Sequence, residues 1–336
     1  MKIAVFEAEE WEERACVQLG SEHILRCTGD VLDLRSVAGH ADAEIVSTFV
    51  NSKLDADVLA HFPRLKLIAT RSTGYDHIDL AWCAAHDVSV ANVPDYGDST
   101  VAEHAFALLL AVARHLIEAV ERTRRGNFSQ AGLRGFELHG RTLGVVGTGR
   151  IGRRVIEIGG GFGMPVIAYD AEPDQMAATG LGFRYASLDE VLAAADVLTL
   201  HVPATPQTAG MIADREFGLM KQDAILINTA RGNIVDVPAL VRALTSGRLR
   251  AAGLDVLPRE PLIREEAEIF RADARAEDHD LKALVANHVL LRFPNVIVTP
   301  HNAYNTQSAV RRIIETTVRN IEGFAAGDPQ NLVVGH

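Results

Sequence analysis

Short, nearly continuous apolar runs separated by turns and helix-like stretches dominate this chain. Ile3–Phe6, Glu44–Thr48, Leu65–Ala69 and Val88–Ala91 read as buried strands in the first hundred residues. A second series follows at Leu143–Val146, Pro165–Tyr169, Val197–Leu200, Ala224–Asn228, Ala251–Leu254 and Val296–Thr299. This alternation predicts βαβ units, hence an α/β protein with doubly wound parallel sheets covered by helices on both faces. Ten strands are many for one sheet, so two α/β domains are expected. Between the two series, Ala102, Phe106, Leu109, Leu110, Ala113, Leu116 and Ile117 recur at spacings of three and four. That spacing predicts one long helix from Ser99 to about Arg125, with Ser99 as its cap. Arg122, Arg124 and Arg125 suit its C-terminal dipole better than a nucleic acid. An apolar helix set between two sheets is a candidate interdomain linker and dimer contact. Glu265 to about Leu291 is charged and helix-friendly, predicting one or two surface helices, with Asp278-His279-Asp280 a solvated turn rather than a metal site.

Composition narrows the function classes. The 336 residues are 48% hydrophobic and 23% charged, the mix of a globular protein with a substantial core. Thirty-three basic against 44 acidic side chains leave a net charge of −11, which argues against nucleic acid or an anionic membrane as partner. Cys16, Cys27 and Cys83 fit no metal or redox spacing and read as reduced thiols; no metal is expected. The apolar start Ile3–Phe6 is too short for a signal peptide, and no apolar run is long enough to span a membrane. A soluble, cytoplasmic protein is expected.

The clearest motif is Gly144-Val145-Val146-Gly147-Thr148-Gly149-Arg150-Ile151-Gly152. It follows a strand, opens a helix, and precedes a second strand that ends at Asp170, 23 residues after Gly147. That context is the dinucleotide fingerprint. Gly147 permits the tight turn, Gly149 lets backbone N–H groups reach a pyrophosphate, and Gly152 lets helix and strand pack closely. An acid at position 170 accepts hydrogen bonds from a ribose 2′-OH and repels a 2′-phosphate. Ala171, Glu172, Pro173 and Asp174 offer no cation, so NAD is favoured over NADP.

Three later strands each deliver a polar residue to what should be one rim. Arg231 follows Ala224–Asn228, Glu260 follows Ala251–Leu254, and His301 follows Val296–Thr299. Singly, each reads as a surface cation, a solvated acid and a capping histidine. Together, beside a nucleotide fingerprint, they make an acid–base site. Reducing a ketone puts negative charge on oxygen, so a cation and a proton donor must be aimed there. Imidazole titrates near neutrality and a carboxylate beside it favours the imidazolium, while guanidinium stays charged and matches a carboxylate.

These segments make the chain resemble the D-isomer-specific 2-hydroxyacid dehydrogenase family over nearly its whole length. The likeness rests on Gly147–Gly152 with Asp170, His201-Val202-Pro203 with Thr205-Pro206, and Asn228-Thr229-Ala230-Arg231-Gly232. Further support comes from Gly253-Leu254-Asp255-Val256 with Glu260-Pro261, Thr299-Pro300-His301, Gly74-Tyr75-Asp76-His77-Ile78-Asp79 and Asn92-Val93-Pro94. The resemblance implies two Rossmann-like domains with an active-site cleft between them. A discontinuous substrate domain (1–96 and 300–336) would surround an NAD-binding domain (97–299). It implies that Arg231 holds the substrate carboxylate, His301 donates the proton and Glu260 bonds the imidazole. Gly147, Gly149, Arg150, Ile151, Gly152, Asp170, Val202, Pro203, Thr208, Thr229, Ala230 and Asp255 would hold the cofactor. Thr73, Gly74, Tyr96, Arg231 and Tyr304 would hold the substrate, with Glu7 and Trp11 also facing the pocket.

Glu260 stands where the similar formate dehydrogenases have Gln, and only 35 residues follow His301, too few for the regulatory domain of long phosphoglycerate dehydrogenases. His301-Asn302-Ala303-Tyr304 with Tyr96 is most similar to the D-lactate and D-hydroxyisocaproate branch. The resemblance therefore implies a homodimeric, NAD-dependent reductase of a pyruvate-like or larger aliphatic 2-oxoacid. Alternatives are a hydroxypyruvate or glyoxylate reductase, a short phosphoglycerate dehydrogenase, or a non-catalytic NAD(H)-sensing regulator.

Overall fold

The computed structural model describes residues 1–17, 19, 22–258 and 285–334. The chain divides into two compact units, Gly97–Tyr304 and Met1–Tyr96 with Asn305–His336. The second boundary thus falls at Tyr304/Asn305 rather than 299/300. The cause is Asp255, whose carboxylate binds Thr299, Asn302 and Ala303 and ties that segment to the larger unit.

In the first unit, strands β1 (Lys2–Val5), β2 (Ile24–Cys27), β3 (Ile45–Thr48), β4 (Leu67–Thr70) and β5 (Ser89–Ala91) run parallel in the order β5-β4-β3-β1-β2. This is a doubly wound order with its switch point between β1 and β3. Residues alternate between two cores. Ala4, Phe6, Val46, Ile68 and Val90 face one side, and Ile3, Val5, Ile45, Leu67 and Ala69 the other. The returning helix Gln307–Ala326, capped by Thr306, supplies Ile314, Val318 and Ile321 to the second core. The strand at the chain's end, Leu332–Val334, then pairs antiparallel with β5, so this sheet is mixed at one edge.

The larger unit contains β6 (Leu143–Val146), β7 (Val166–Tyr169), β8 (Arg184–Tyr185), β9 (Val197–Leu200), β10 (Ala224–Asn228), β11 (Leu249–Leu254) and β12 (Val296–Val298), followed in the chain by β13, the Leu332–Val334 strand of the first unit. Its seven strands are all parallel, in the order β12-β11-β10-β9-β6-β7-β8. Every residue of β6, β9 and β10 is buried, as expected for strands covered on both faces. Leu198, Leu226 and Ala252 enter one core and Val197, Ile225 and Ala251 the other.

All ten expected strands form. β2, β8 and β13 are additional: β2 and β13 are sheet edges, and β8 is an edge of two residues, so none carries a buried apolar run. The expected long helix is two, Asp98–Ala113 and Leu116–Arg124, bent by 62° where His115 takes a left-handed backbone (φ +48°). Gly97, not Ser99, holds the cap position, and no side chain caps it. Asp98 instead bonds Arg150 at 2.8 Å. Of the region from Glu265 to about Leu291, residues 285–290 are helical; Asp278-His279-Asp280 lies outside the described residues. No single helix among the described residues is long and apolar enough to cross a membrane.

Arg71, 1% exposed, ties the carboxyl ends of β1, β3 and β4 together. It donates to the carbonyls of Phe6 and Glu7, both at 2.8 Å, and to Ser47 Oγ, and lies 3.3 Å from a Glu12 carboxylate oxygen. Burial raises the Glu12 carboxyl above its usual range and Arg71 partly opposes that rise. Replacing one partner of such a buried pair costs about 3–5 kcal/mol. Arg71→Met should lower the urea-unfolding stability by about that much, because the Phe6 and Glu7 carbonyls lose their donor and Glu12 loses its counter-charge.

Candidate functional site

The register of the larger sheet sets the geometry of the site. Tyr169, Val146, Leu200, Asn228, Leu254 and Val298 stand in one row across six neighbouring parallel strands. The residues that follow them, Asp170, Gly147, His201, Thr229, Asp255 and Thr299, therefore leave the sheet along one rim. At about 4.8 Å per strand the row spans about 24 Å. Successive strands are also stitched at the rim: His201 N donates to the Val146 carbonyl at 2.7 Å, Asp255 N to Asn228 at 2.9 Å, and Thr299 N to Leu254 at 2.9 Å. The switch point lies between β6 and β9, where a doubly wound sheet opens a crevice for ligand.

The glycines of the fingerprint have three different reasons. Gly147 has φ +95°, and a Cβ there would meet the His201 backbone at 2.7 Å. At Gly152 a Cβ would lie 2.0 Å from the Gly147 carbonyl oxygen. At Gly149 it would meet nothing within 4 Å, so packing does not require glycine there; the freed space lies before the open N-terminus of helix Arg150–Gly161. That helix has no side-chain cap and no acid in its first turn, which leaves N–H groups for an anion. Arg150 and Ile151 form its first turn, and the Arg150 guanidinium is held by Asp98.

Asp170 caps the other side of this loop. Its Oδ2 accepts from Thr148 N at 2.6 Å and Thr148 Oγ at 2.9 Å, and its Oδ1 from Glu172 N at 3.0 Å. Burial works against its charge, but the donors from Glu172 and Thr148 outweigh it and hold the carboxyl below its usual range. Tyr185 and Arg153, which no motif marks, join in. Tyr185 bonds Thr148 Oγ at 2.7 Å, and Arg153 spans the Thr148 carbonyl and Asp174, both at 2.9 Å.

On the β9 side, Val202 and Pro203 lead into a turn closed by Thr208, whose hydroxyl donates to the Pro203 carbonyl at 2.6 Å and accepts from Thr205 N at 2.8 Å. The Thr208 hydroxyl thus shapes the turn. After β10, Asn228 receives Ala230 N and donates to the Arg231 carbonyl, which fixes the 229–231 bend. Arg231 Nη1 donates to the Ala230 carbonyl at 2.9 Å. Two buried polar atoms on the rim, Thr229 Oγ and Asn302 Oδ1, have no partner among the described residues. Orphaned groups of this kind, with the open space at Gly149, fit a bound dinucleotide.

Asp255 is fully buried and organises the loop that carries His301. Its carboxylate accepts from Thr299 Oγ at 2.5 Å, Asn302 N at 3.1 Å and Ala303 N at 2.9 Å, while its carbonyl accepts from His301 N at 2.9 Å. His301 adopts φ +53°, a conformation that costs energy for a side-chain-bearing residue and is held by these bonds. Tyr304 ends the same loop, half-buried. Glu260 lies outside the described residues. Sequence reasoning missed His104, on helix Asp98–Ala113, whose Nε2 is 3.0 Å from Thr299 Oγ and 3.4 Å from Asp255 Oδ1. A lone histidine among Ala102, Ala105, Phe106 and Leu109 was the available signal.

In the other unit, the loop after β4 is fixed by Ser72 Oγ on the Gly74 carbonyl (2.6 Å) and by Asn92 Nδ2 on the Thr73 carbonyl (2.9 Å). The N–H groups of Thr73 and Gly74 donate to no described residue. The Tyr96 carbonyl accepts from Arg312. Glu7 and Trp11 have partners within this unit. The Glu7 carboxylate is spent on five donors from Phe49, Asn51 and Ser52, and Trp11 Nε1 donates to Glu9. Glu7 therefore fixes the loop after β3.

His201 gives a pH test. Burial at the end of β9 pushes its imidazole down to about 3, with Thr199 Oγ 2.8 Å from Nε2. In the unfolded chain it titrates near ~6.5. The unfolded state takes up the proton first, so stability is lost as pH falls below that value, by about 1.4 kcal/mol per pH unit. Urea unfolding between pH 7 and 5 should show a loss of about 2 kcal/mol, and His201→Gln should flatten that slope.

The family model of the D-isomer specific 2-hydroxyacid dehydrogenase NAD binding domain matches residues 106–303. The 2-hydroxyacid dehydrogenase homolog 1 of Schizosaccharomyces pombe is 35% identical over 99% of this chain and 99% of its own. The glyoxylate reductase of Pyrococcus furiosus is 34% identical over 98% of this chain and 89% of its own. Among solved structures, D-lactate dehydrogenase of Aquifex aeolicus, complexed with NAD and lactic acid, superposes with a TM-score of 0.89 at 37% identity, covering 99% of both chains. With likeness of this extent, and a rim built to receive a dinucleotide, the chain belongs to the D-isomer-specific 2-hydroxyacid dehydrogenase family and is an NAD-dependent oxidoreductase acting on a CH–OH group.

Proposed function

We propose that this dehydrogenase interconverts a pyruvate-like or larger aliphatic 2-oxoacid and its D-2-hydroxyacid, with His301 as proton donor to the carbonyl oxygen. The observation that carries the reading is the level row of strand ends, which sends Arg231, the Asp255-held His301 loop and the glycine turn to one rim. NADH bound along that rim supplies the hydride. The Arg231 guanidinium anchors the substrate carboxylate and draws charge toward the keto oxygen. His301, in its strained backbone conformation, delivers the proton, and Glu260 is assigned as the partner that favours the imidazolium. Val202, Pro203, Thr229, Ala230 and Asp255 border the nicotinamide half in this reading, with the Thr229 hydroxyl available as a donor. In the other unit, Thr73 and Gly74 offer N–H groups to a carboxylate, and Tyr96 is assigned to substrate.

The relatives' names include both lactate and glyoxylate enzymes, so the side chain accepted is the open variable. Hydroxypyruvate reduction and short phosphoglycerate dehydrogenase activity belong to the same test. We assign the exposed Leu116, Ile117 and Val120, on a helix that buries none of its residues, together with Phe128 (79% exposed), to a homodimer contact. Burial pushes the Cys16 and Cys83 thiols up to about 11, which keeps them protonated at neutral pH; the reading of a cytoplasmic protein rests on the three free cysteines.

A panel of 2-oxoacids with NADH and with NADPH should give NADH consumption greatest with pyruvate or a larger aliphatic 2-oxoacid, yielding the D product. A best rate with glyoxylate or hydroxypyruvate would move the assignment to those substrates, and consumption with none would favour a sensor. His301→Ala should cut kcat by roughly two to four orders of magnitude while NADH still binds. Arg231→Ala should raise KM for the oxoacid as well as lower kcat, and Asp170→Ala should weaken NADH binding by about tenfold, read by fluorescence titration. Ile117→Glu should shift the sedimentation coefficient from dimer to monomer.

A further inference from the structure

We infer that His104 is a positioning residue for the reaction, acting on His301 through Thr299 and Asp255; the inference rests on His301 being the proton donor. The direction of the hydrogen bonds follows from counting protons. The Asp255 carboxylate, 2.5 Å from Thr299 Oγ, also receives Asn302 N and Ala303 N, so it acts only as an acceptor. The single hydroxyl proton of Thr299 therefore points at Asp255. His104 Nε2, 3.0 Å from the same hydroxyl oxygen, must then carry a hydrogen and donate it. One relay results, running from the His104 imidazole through the Thr299 hydroxyl to a carboxylate with no exposed side-chain surface.

Among the described residues, His104 is the basic side chain within ion-pair distance of Asp255, at 3.4 Å. It lies 195 residues from Thr299, on a different element, and its imidazole is about one-fifth exposed. Its effect reaches the reaction because Asp255 is the clamp of the loop. The Asp255 carbonyl binds His301 N, and the carboxylate binds the two N–H groups that follow. Without the imidazole donor, Thr299 Oγ and the buried carboxylate lose a polar partner. The 299–303 loop then relaxes, and with it the left-handed backbone that aims His301. The glycine turn and Asp170 follow β6 and β7, on other strands than this relay, so the contacts they offer the cofactor should not change, and any effect on the cofactor is confined to the half that Asp255 borders.

The test compares His104→Phe, which keeps bulk and removes the donor, with His104→Gln, which restores an N–H. His104→Phe should lower kcat by roughly ten- to a hundredfold, the scale of a sub-ångström to ångström misplacement. KM for NADH should change far less than kcat, and the isotope effect with 4-deuterated NADH should rise as chemistry becomes rate-limiting. His104→Gln should recover most of kcat. Thr299→Val, which cuts the same relay at its middle, should reproduce the kcat loss, and the two losses should not add when combined. That variant also decides the matter if His104→Phe does not fold. A folded His104→Phe with unchanged kcat and isotope effect overturns the inference, as does an unaffected Thr299→Val. His301→Ala separates the two readings: if it is inactive while His104→Phe is normal, only the positioning role falls. If His301→Ala is active, the proton-donor reading falls and takes this one with it.

Discussion

A buried carboxylate has to be surrounded by donors, and in this protein that requirement shapes the chain around it. Asp255 leaves β11 at the rim with both oxygens out of water. The donors that compensate it come from the segment after β12, and one of them, Thr299, lies 3.0 Å from His104 on a helix nearly two hundred residues earlier. A charge desolvated this fully costs several kcal/mol unless such partners are in place. The segment therefore has little choice of path, and His301 is carried into a backbone conformation it would not adopt alone. The same bonds explain why residues up to Tyr304 belong to the larger unit.

The first unit solves a similar problem with Glu7 and Arg71. Each lies beyond the carboxyl end of a strand and serves a neighbouring loop. Glu7, with φ +55°, gathers donors from Phe49, Asn51 and Ser52, and Arg71 binds the carbonyls of Phe6 and Glu7. Charged groups are thus used in both units to hold the loops after strands, where backbone groups have lost their sheet partners. Ligand-binding loops in doubly wound sheets leave from these ends, so rigidity there preserves recognition.

The glycine turn follows the opposite rule. It is defined by what is missing: no Cβ at Gly147 or Gly152, where one would collide with backbone, and none at Gly149, where one would collide with nothing in the protein. Contacts with protein explain two of these glycines and leave the third to the dinucleotide.

The strands and the fingerprint were legible because both are local. Apolar runs such as Val197–Leu200 and Ala224–Asn228 declare burial on two faces, and Gly147–Gly152 with Asp170 carries its own spacing. The break at His115 and the edge strands β2, β8 and β13 were not legible, since helical periodicity continues through the break and edge strands carry no full apolar run. Arg231 and His301 could be named from their place after strands, but the level row that puts those strand ends on one rim depends on strand register. The relation of His104 to Thr299 and Asp255 depends on helix packing. The alternation of elements, the dinucleotide turn and the chemical types on the rim are readable along the chain, because each is written within a few residues. Which distant group satisfies which buried charge emerges with folding, because that pairing is set by desolvation in three dimensions and leaves no periodic trace along the chain.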